Sequence, residues 1–220
     1  MAVAQVAVEE TDRRRIRGRR TRQAILTHAS QLASAEGLEA VSLQRLAGDL
    51  GISKSGLFAH FGSKEELQLA TVEEAARIFT HEVLKPGLSV PTGLGRLWAL
   101  CNAHLSYQER KVFPGGCFFE AVAAEFDHRP GTVREAVVEK VRYWAGSLAR
   151  AAREAQAAGE VDPGVDPEQL AWELGSLLSG ANGLHGIDGG SLAFERARRA
   201  IRDRLQRVAT HSAAALPAAD

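Results

Sequence analysis

The chain has no apolar run of the roughly 18–20 residues that a membrane span needs, and no strand-like alternation of useful length. Its N-terminus lacks an apolar segment with a cleavage site, so a secretory signal is not expected. Only two cysteines, Cys101 and Cys117, occur among 220 residues, too few for a disulfide framework. These absences favour an all-α protein of the reducing cytoplasm with no membrane partner.

The chain also lacks net charge, because 27 basic side chains balance 27 acidic ones. The balance conceals a separation. Residues 13–64 contain ten Lys and Arg against three Asp and Glu, a net charge of +7, so the remainder carries −7. A basic head on an acidic body is expected if only the head meets nucleic-acid phosphates. Residues 1–17 end in a run of arginines, and we predict a disordered basic arm that reaches DNA; a merely solubilising tail is the alternative.

Residues 42–67 have the spacing of a helix-turn-helix. Ser42 can cap a short helix whose leucines recur at helical spacing, and Gly51 can end it in the left-handed conformation. Ser53 can then start a second short helix, and Ser63 a third through a Ser-x-x-Glu capping box. We expect a further helix at about residues 19–35 to pack behind this unit and complete a three-helix head.

This segment is similar to the DNA-binding domain of the TetR family of one-component transcriptional regulators. The resemblance covers residues 18–67, and its residues are Arg22, Ile25, Ala29, Leu32, Gly37, the run Ser42 to Leu50, Gly51-Ile52-Ser53-Lys54 and Leu57 to Leu67. It implies a homodimer on a pseudo-palindromic double-stranded operator, with a small effector bound in the C-terminal body. Phe58 departs from the tyrosine usual in the family, so contact with the DNA backbone or a thymine methyl would replace a phenol–phosphate hydrogen bond.

The exposed side of the second short helix is the predicted DNA reader. Lysine and serine can reach base edges or phosphates, glycine lets the backbone approach closely, and helix N-termini favour phosphate. The predicted DNA-binding residues are Arg19, Arg20, Arg22, Ser42, Ser53, Lys54, Ser55, Gly56, Phe58, His60 and Lys64. The resemblance implies operator contact for all of them except Arg19, Arg20 and Gly56. A helical hairpin with solvated polar residues is the alternative.

Beyond residue 67 the pattern is helical and is divided by proline and glycine. The predicted helices are about 64–84, 92–106, 117–125, 132–158, 168–185 and 191–210, with a break at Lys85-Pro86-Gly87 and Pro91. We predict an effector-binding and dimerisation domain at 68–210 and a flexible tail at 211–220. The last two helices combine apolar stripes with small residues, so we expect them to form the dimer interface as a four-helix bundle; completion of the monomer core is the alternative.

Aromatic and polar residues of the body predict an apolar effector pocket. The predicted ligand-binding residues are Trp98, Cys101, His104, Phe118, Phe119, Trp144 and Trp172, and the same helices carry Phe113, Glu120 and Leu177. Each of these is equally compatible with an ordinary core position. The segment Pro114 to Phe119 weakly resembles one effector-domain subgroup of the TetR family.

The sequence predicts neither a metal, a cofactor nor a catalytic site. Cys101 and His104 share one helix face, and Cys117 and His81 could join them, but paired close spacing of zinc ligands is lacking. A Cys101–Cys117 redox switch is a second possibility that depends on the environment of the thiols. A loop at residues 93–98 lacks the third glycine and the strand of a dinucleotide site. The competing functional class is a helical small-molecule-binding or interaction protein without sequence-specific DNA binding.

Overall fold

A computed structural model describes residues 2–213 and 215–216, with side chains from Arg15 onward. The helices are α1 (Ala2–Glu36), α2 (Leu43–Leu50), α3 (Lys54–Phe58), α4 (Lys64–Phe79), a π-helical turn (Thr80–Leu84), α5 (Lys85–Ser89), α6 (Leu94–Glu109), α7 (Phe118–Phe126), α8 (Thr132–Ala157), α9 (Pro167–Asp188) and α10 (Leu192–Val208). The described residues form no sheet; Val161 and Ala209 make one isolated bridge. The prediction of an all-α fold is confirmed. No described helix combines the length and apolarity needed to cross a membrane.

The basic arm is not disordered as expected, because α1 begins at Ala2 and runs without interruption to Glu36. Its first half is rich in alanine, glutamate and arginine, which are strong helix formers, and contains no proline. Gly18 weakens the helix but does not stop it. Local propensity therefore outweighs the repulsion within the arginine run, which we took as a mark of disorder. Met1 lies outside the described residues.

The capping serines of the helix-turn-helix behave as predicted. The hydroxyls of Ser42, Ser53 and Ser63 each accept a hydrogen bond from the backbone N–H three residues further on, at 3.2, 3.1 and 3.0 Å. Gly51 ends α2 in the left-handed region, with φ 63°. Leu57 and Phe61 are buried beneath α3 and fix its position against the head.

The predicted break at Lys85-Pro86-Gly87 is wrong, because the helix that begins with α4 continues through the π-helical turn into α5. In that turn the N–H of Lys85 reaches the carbonyl of Thr80, five residues back. Pro86 follows in the first turn of α5, directly after this change in the hydrogen-bond pattern. The chain leaves the helix only at Val90, which precedes Pro91 and has extended backbone.

The body is a layered helical bundle in which α6 lies against α8, α9 and α10. The apolar stripe of the last helix (Phe194, Ala197, Ile201, Leu205 and Val208) faces inward and is buried within the single chain, so these residues complete its own core, which was the alternative to a dimer interface. The stripe predicted for the preceding helix is partly wrong: Leu170, Leu174 and Ala181 are buried, Leu177 is half-buried, and Leu184 is exposed.

The predicted flexible tail falls partly outside the described residues, which omit 214 and 217–220. In the described part, Ala213 and Leu216 pack against the core. The N–H of Thr210 also donates to the carbonyl of Glu160, at 2.9 Å. These contacts contradict a tail that is free from residue 211.

Candidate functional site

The exposed side of α3 presents the predicted reader. Lys54, Ser55 and Phe58 are exposed, and Phe58 keeps 46% of its surface accessible although it is a large apolar residue. Arg19 and Arg20 are exposed on α1. None of the three basic side chains makes an ion pair with another described residue. They are therefore available for phosphates, and Phe58 for an apolar contact.

Other predicted DNA-binding side chains already have partners. The Lys64 ammonium lies 2.8 Å from a Glu39 carboxylate oxygen and also donates to the Glu39 carbonyl, at 3.0 Å. This hydrogen bond lowers the pKa of the Glu39 carboxyl. The Arg22 guanidinium lies over the Phe61 ring, 5.0 Å from its centre. Ser42 and Ser53 cap helices with their hydroxyls, and His60 is half-buried. Lys64 thus holds the loop before α2, a role that the sequence did not reveal.

A cavity of about 380 Å³ lies inside the body between α4, α6, α7, α8 and α9. Its wall is mainly aliphatic and aromatic, and its volume is within the range of small-molecule pockets. The lining residues are Ala76, Phe79, Thr80, Leu84, His104, Cys117, Phe119, Glu120, Ala123, Lys140, Val141, Tyr143, Trp144, Ala145, Leu148, Ala171, Trp172, Gly175, Ser176 and Ser179.

The cavity includes four of the seven predicted ligand-binding residues: His104, Phe119, Trp144 and Trp172. The other three are core residues. Trp98 lies under the Arg202 guanidinium, 4.6 Å from the ring centre, and Phe118 packs against Phe113. Cys101 is fully buried and does not line the cavity. These three side chains project from other faces of α6 and α7. Helical spacing does not indicate which face of a helix lines the cavity, because the packing of the helices decides it.

Phe79, the last residue of α4, is the central aromatic side chain of the cavity wall. Its ring makes edge-to-face contacts with the rings of His104, Tyr107, Phe119 and Trp144, with centre distances of 5.3–6.0 Å. Phe79 was not among the ligand-binding residues predicted from the sequence. Its helical spacing with Val72 and Ala76 indicates a shared face, but not which rings of other helices it meets. The helix that leaves the head therefore ends in the wall of the cavity.

One part of the cavity wall is polar but carries little charge. Burial lowers the pKa of His104 to about 3 and raises the pKa of the Cys117 thiol to about 12. Burial also raises the pKa of the Glu120 carboxyl, against hydrogen bonds that lower it. The Ser179 hydroxyl donates one of these to Glu120, at 3.1 Å. At neutral pH this region offers a neutral imidazole and a neutral thiol beside the carboxyl group.

The two cysteines are free and buried, and burial raises the pKa of Cys101 to about 12 as well. Reactive cysteines need thiolate character and access to solvent. Neither thiol has this character in the described structure, so the geometry gives no support to a Cys101–Cys117 redox switch.

The head rests on the body through the loop before α7. A Cβ atom added to Gly115 would lie 1.8 Å from the Ser34 carbonyl oxygen of α1, so only glycine fits there. Two residues further on, the N–H of Cys117 donates to the Asn182 side chain of α9, at 3.1 Å. This loop therefore touches the head helix, the cavity wall and α9 within three residues.

The far end of α7 makes a second contact with the head. The Glu125 carboxylate accepts hydrogen bonds from the backbone N–H groups of Leu38 and Glu39, at 2.6 and 2.9 Å. These N–H groups belong to the loop between α1 and α2. Because the acceptor is a carboxylate, the bonds are of the stronger, charge-assisted kind. The sequence gives no sign of this role, because Glu125 is one of several acidic residues in the predicted helices.

Two parts of the chain match family models, one in the head and one in the body. Residues 25–71 match the model described as bacterial regulatory proteins of the tetR family. Residues 93–201 match the model described as the tetracyclin repressor-like C-terminal domain. The matches define a transcriptional regulator with a DNA-binding N-terminal domain and a ligand-binding C-terminal domain. The chain belongs to the TetR family, whose members bind operator DNA as dimers and respond to ligands.

Individual relatives agree with this assignment. The transcriptional regulator AcuR of Cereibacter sphaeroides is 26% identical over 180 residues, which cover 75% of this chain and 81% of AcuR. A TetR transcriptional regulator from Chloroflexus aurantiacus has a similar structure, with a TM-score of 0.81 and 25% identity, over 88% of this chain and 98% of that one. AibR, solved with isovaleryl coenzyme A and operator DNA, has a TM-score of 0.63 at 22% identity, over 82% and 95%. AibR is similar to this chain in fold.

Proposed function

We propose that this chain is a ligand-responsive repressor that binds a pseudo-palindromic operator as a homodimer. Residues 18–67, extended by the N-terminal part of α1, act as the DNA-binding domain, and residues 68–210 as the effector-binding and dimerisation domain. Occupation of the cavity releases the operator. The observation that carries this proposal is that two of the helices that line the cavity, α4 and α7, also contact the head.

The first route from cavity to head is α4, which begins at Lys64 beside α3 and ends at Phe79 in the cavity wall. Thr80 and Leu84 of the π-helical turn line the same wall. A π-helical turn carries one extra residue in its hydrogen-bonded ring, and such turns occur often at functional sites. An effector that displaces Phe79 or rewinds this turn would tilt α4 and change the distance between the two heads of a dimer.

The second route is α7, whose cavity side carries Phe119, Glu120 and Ala123. Two residues beyond Ala123, Glu125 holds the loop between α1 and α2. Movement of α7 would therefore shift the loop between α1 and α2, and with it the start of the helix-turn-helix. An effector shifts the equilibrium only to the extent that it prefers the arrangement that does not bind DNA.

The effector class that fits is a small, mainly apolar molecule with a polar group that forms hydrogen bonds. The aromatic and aliphatic wall supports the apolar part, and the polar region around His104 and Glu120 supports the polar group. AibR, which has this fold, was solved with an acyl thioester and operator DNA together, so the fold can hold both kinds of ligand.

The dimer is supported by exposed apolar side chains on and beside α9. Trp172, Leu184, Ile187 and Leu192 keep 67%, 52%, 86% and 49% of their surface accessible. Leu184 and Ile187 lie three positions apart on α9 and therefore share one face, and apolar side chains that are exposed together mark interaction surfaces. In light scattering, Ile187→Glu should convert a dimer into a monomer, whereas Leu88→Glu, an exposed leucine on α5, should leave it unchanged. If both variants remain dimers, the interface lies elsewhere on the chain.

The direct test of operator binding and its release is a mobility shift with the DNA upstream of the chain's own gene. We expect retardation at about 0.1 M salt, steep loss of binding as salt rises, and release by small amphipathic compounds. Binding that ignores salt and sequence would favour the alternative class, a helical ligand-binding protein without an operator.

A further inference from the structure

Three potential metal ligands meet on the wall of the cavity. A ring nitrogen of His104, the Sγ of Cys117 and a carboxylate oxygen of Glu120 all lie within 4.8 Å of one another. His104 projects from α6, Cys117 caps the N-terminus of α7, and Glu120 lies in its first turn. Among the described residues, no other group of three such side chains comes together in this way. Of the cysteines and histidines singled out in the sequence, Cys117 and His104 join, whereas Cys101 and His81 do not.

His104 offers a ring nitrogen without a partner, and neighbouring groups hold Cys117 and Glu120 in place. His104 is 98% buried, and its Nδ1 has no hydrogen-bond partner among the described residues. Its Nε2 lies 3.4 Å from the Gln108 amide, whose oxygen also lacks a partner there. With that oxygen turned to Nε2, the imidazole would present the Nδ1 lone pair. Asn182 anchors the backbone of Cys117, and Ser179 donates to Glu120. Such outer partners orient the ligands of metal sites.

We infer that His104, Cys117 and Glu120 form a binding site for a divalent transition metal of the zinc class. One imidazole, one thiolate and one carboxylate make a borderline-soft donor set that suits Zn²⁺. The thiolate and the carboxylate together offset the double charge of the ion, so the site would bury no net charge. Three protein ligands leave a fourth position open, and the cavity lies beside it. A metal-bound donor atom of an effector could fill that position.

Binding would move the walls of the cavity. Zinc bonds of about 2.0–2.3 Å place tetrahedral ligands about 3.3–3.8 Å apart, so donors up to 4.8 Å apart must close by about 1 Å. Closure draws the first turn of α7 towards α6. The other end of α7 carries Glu125, which holds the head loop, so the metal would act on the head through the second route proposed above. The site itself stands independently of whether the chain represses transcription.

Cobalt provides the test, because Co²⁺ replaces Zn²⁺ and its thiolate-to-metal charge-transfer band reports a cysteine ligand. Untagged, reduced, metal-free full-length protein is titrated with Co²⁺ and then with Zn²⁺. We expect a near-ultraviolet band and four-coordinate visible bands that saturate at one ion per chain, and that Zn²⁺ abolishes. Cys117→Ala should lose the charge-transfer band, and His104→Ala and Glu120→Gln should each weaken Co²⁺ binding at least about tenfold.

Cys101→Ala is the matched control, because Cys101 is an equally buried thiol of the same chain. It should retain the full spectrum. Circular dichroism checks that each variant is folded, and Cys117→Ser replaces Cys117→Ala if the alanine variant is not. The inference is overturned by the absence of a charge-transfer band in the unaltered protein, by a band that survives at Cys117→Ser, or by one that disappears at Cys101→Ala. A metal-free protein that retards operator DNA but gives no cobalt spectrum overturns this site alone. A cobalt spectrum without operator binding overturns the proposed function alone.

Discussion

The head and the body use polar groups in opposite ways. In the head, the basic side chains stand at the surface, either free of ion pairs with described residues, as Lys54 is, or paired in the open, as Arg45 is with Glu36 and Asp49. In the body, His104 and Cys117 are buried in an apolar wall and are neutral. Salt screens the first kind of group, while desolvation governs the second. The head should therefore respond to ionic strength, and the body to pH and to molecules that enter it.

The two regions also differ in how they are held. The body is a continuous bundle, whereas the head joins it through α4 and through contacts of α1 and the following loop with the α7 region. Of these, the approach of Gly115 to Ser34 and the hydrogen bonds to Glu125 are specific enough to be broken one at a time. Four substitutions probe this comparison.

The largest effect is expected from Gly115→Ala. The added Cβ would meet the Ser34 carbonyl oxygen at 1.8 Å, so α1 and the loop must separate, at a cost of about 3 kcal/mol in the free energy of unfolding. Gly146→Ala is the control, because a Cβ there meets nothing within 4 Å in the middle of α8, and alanine should stabilise that helix by up to about 1 kcal/mol. Urea unfolding measures both. Equal midpoints would show that the junction is not tightly packed.

The next effect concerns His104 and acid. Its pKa of about 3 in the folded chain lies below the ordinary 6.5, so the unfolded chain binds the proton first. Its contribution to stability is therefore complete above pH 6.5 and is lost as the pH falls towards 3. Between pH 6.5 and 5 the loss is about 2 kcal/mol. His104→Phe keeps a ring among the aromatic neighbours and should flatten this part of the pH profile. A profile identical to that of the unaltered chain would mean that His104 is not buried as a neutral group.

Lys54→Ala tests the surface electrostatics of the reader. Operator affinity should fall about tenfold, and the slope of the logarithm of affinity against the logarithm of salt should decrease by about 1 for each head. Lys85→Ala removes an exposed lysine from the body and should change neither quantity. If both lysines behave alike in the mobility shift, the basic head is not what binds the operator.

The smallest effect is expected from Glu125→Gln. The amide keeps one acceptor oxygen but loses the charge that strengthens two hydrogen bonds, so unfolding should become easier by about 1 kcal/mol. Release of the operator by an effector should also need a higher effector concentration. Glu135→Gln, an exposed acid in the first turn of α8, is the control. If Glu125→Gln leaves the effector concentration needed for release unchanged, α7 does not transmit the effect of the effector, and α4 remains as the route from the cavity to the head.

The head could be predicted almost completely from its residues, because its capping serines, Gly51 and the buried Leu57 and Phe61 act over a few positions. Predictions failed where a rule about a few neighbouring residues was outweighed by a longer stretch of the chain or by a residue far from it in sequence. The arginine run indicated disorder, but α1 is continuous. Pro86 indicated a break, but the π-helical turn accommodates it. Lys64 was predicted to contact a DNA phosphate, but its ammonium group forms an ion pair with Glu39, 25 residues earlier in the chain.

The cavity shows the same limit. Helical spacing identified His104, Phe119, Trp144 and Trp172, and it also selected Trp98, Cys101 and Phe118, which face elsewhere. A helical wheel gives the relative directions of side chains on one helix, but it does not give the rotation of that helix against its neighbours. Burial areas from several helices set that rotation together, and no single segment encodes them.

The sequence by itself determined the all-α class and the helix-turn-helix with Lys54 at its surface, since these follow from interactions within a few residues of one another, and its composition determined the separation of charge between head and body. Only the tertiary structure decided which aromatic residues form the cavity, that α4 and α7 connect it to the head, and that His104, Cys117 and Glu120 meet. Those relations join residues far apart in the chain, and packing of the whole bundle sets them.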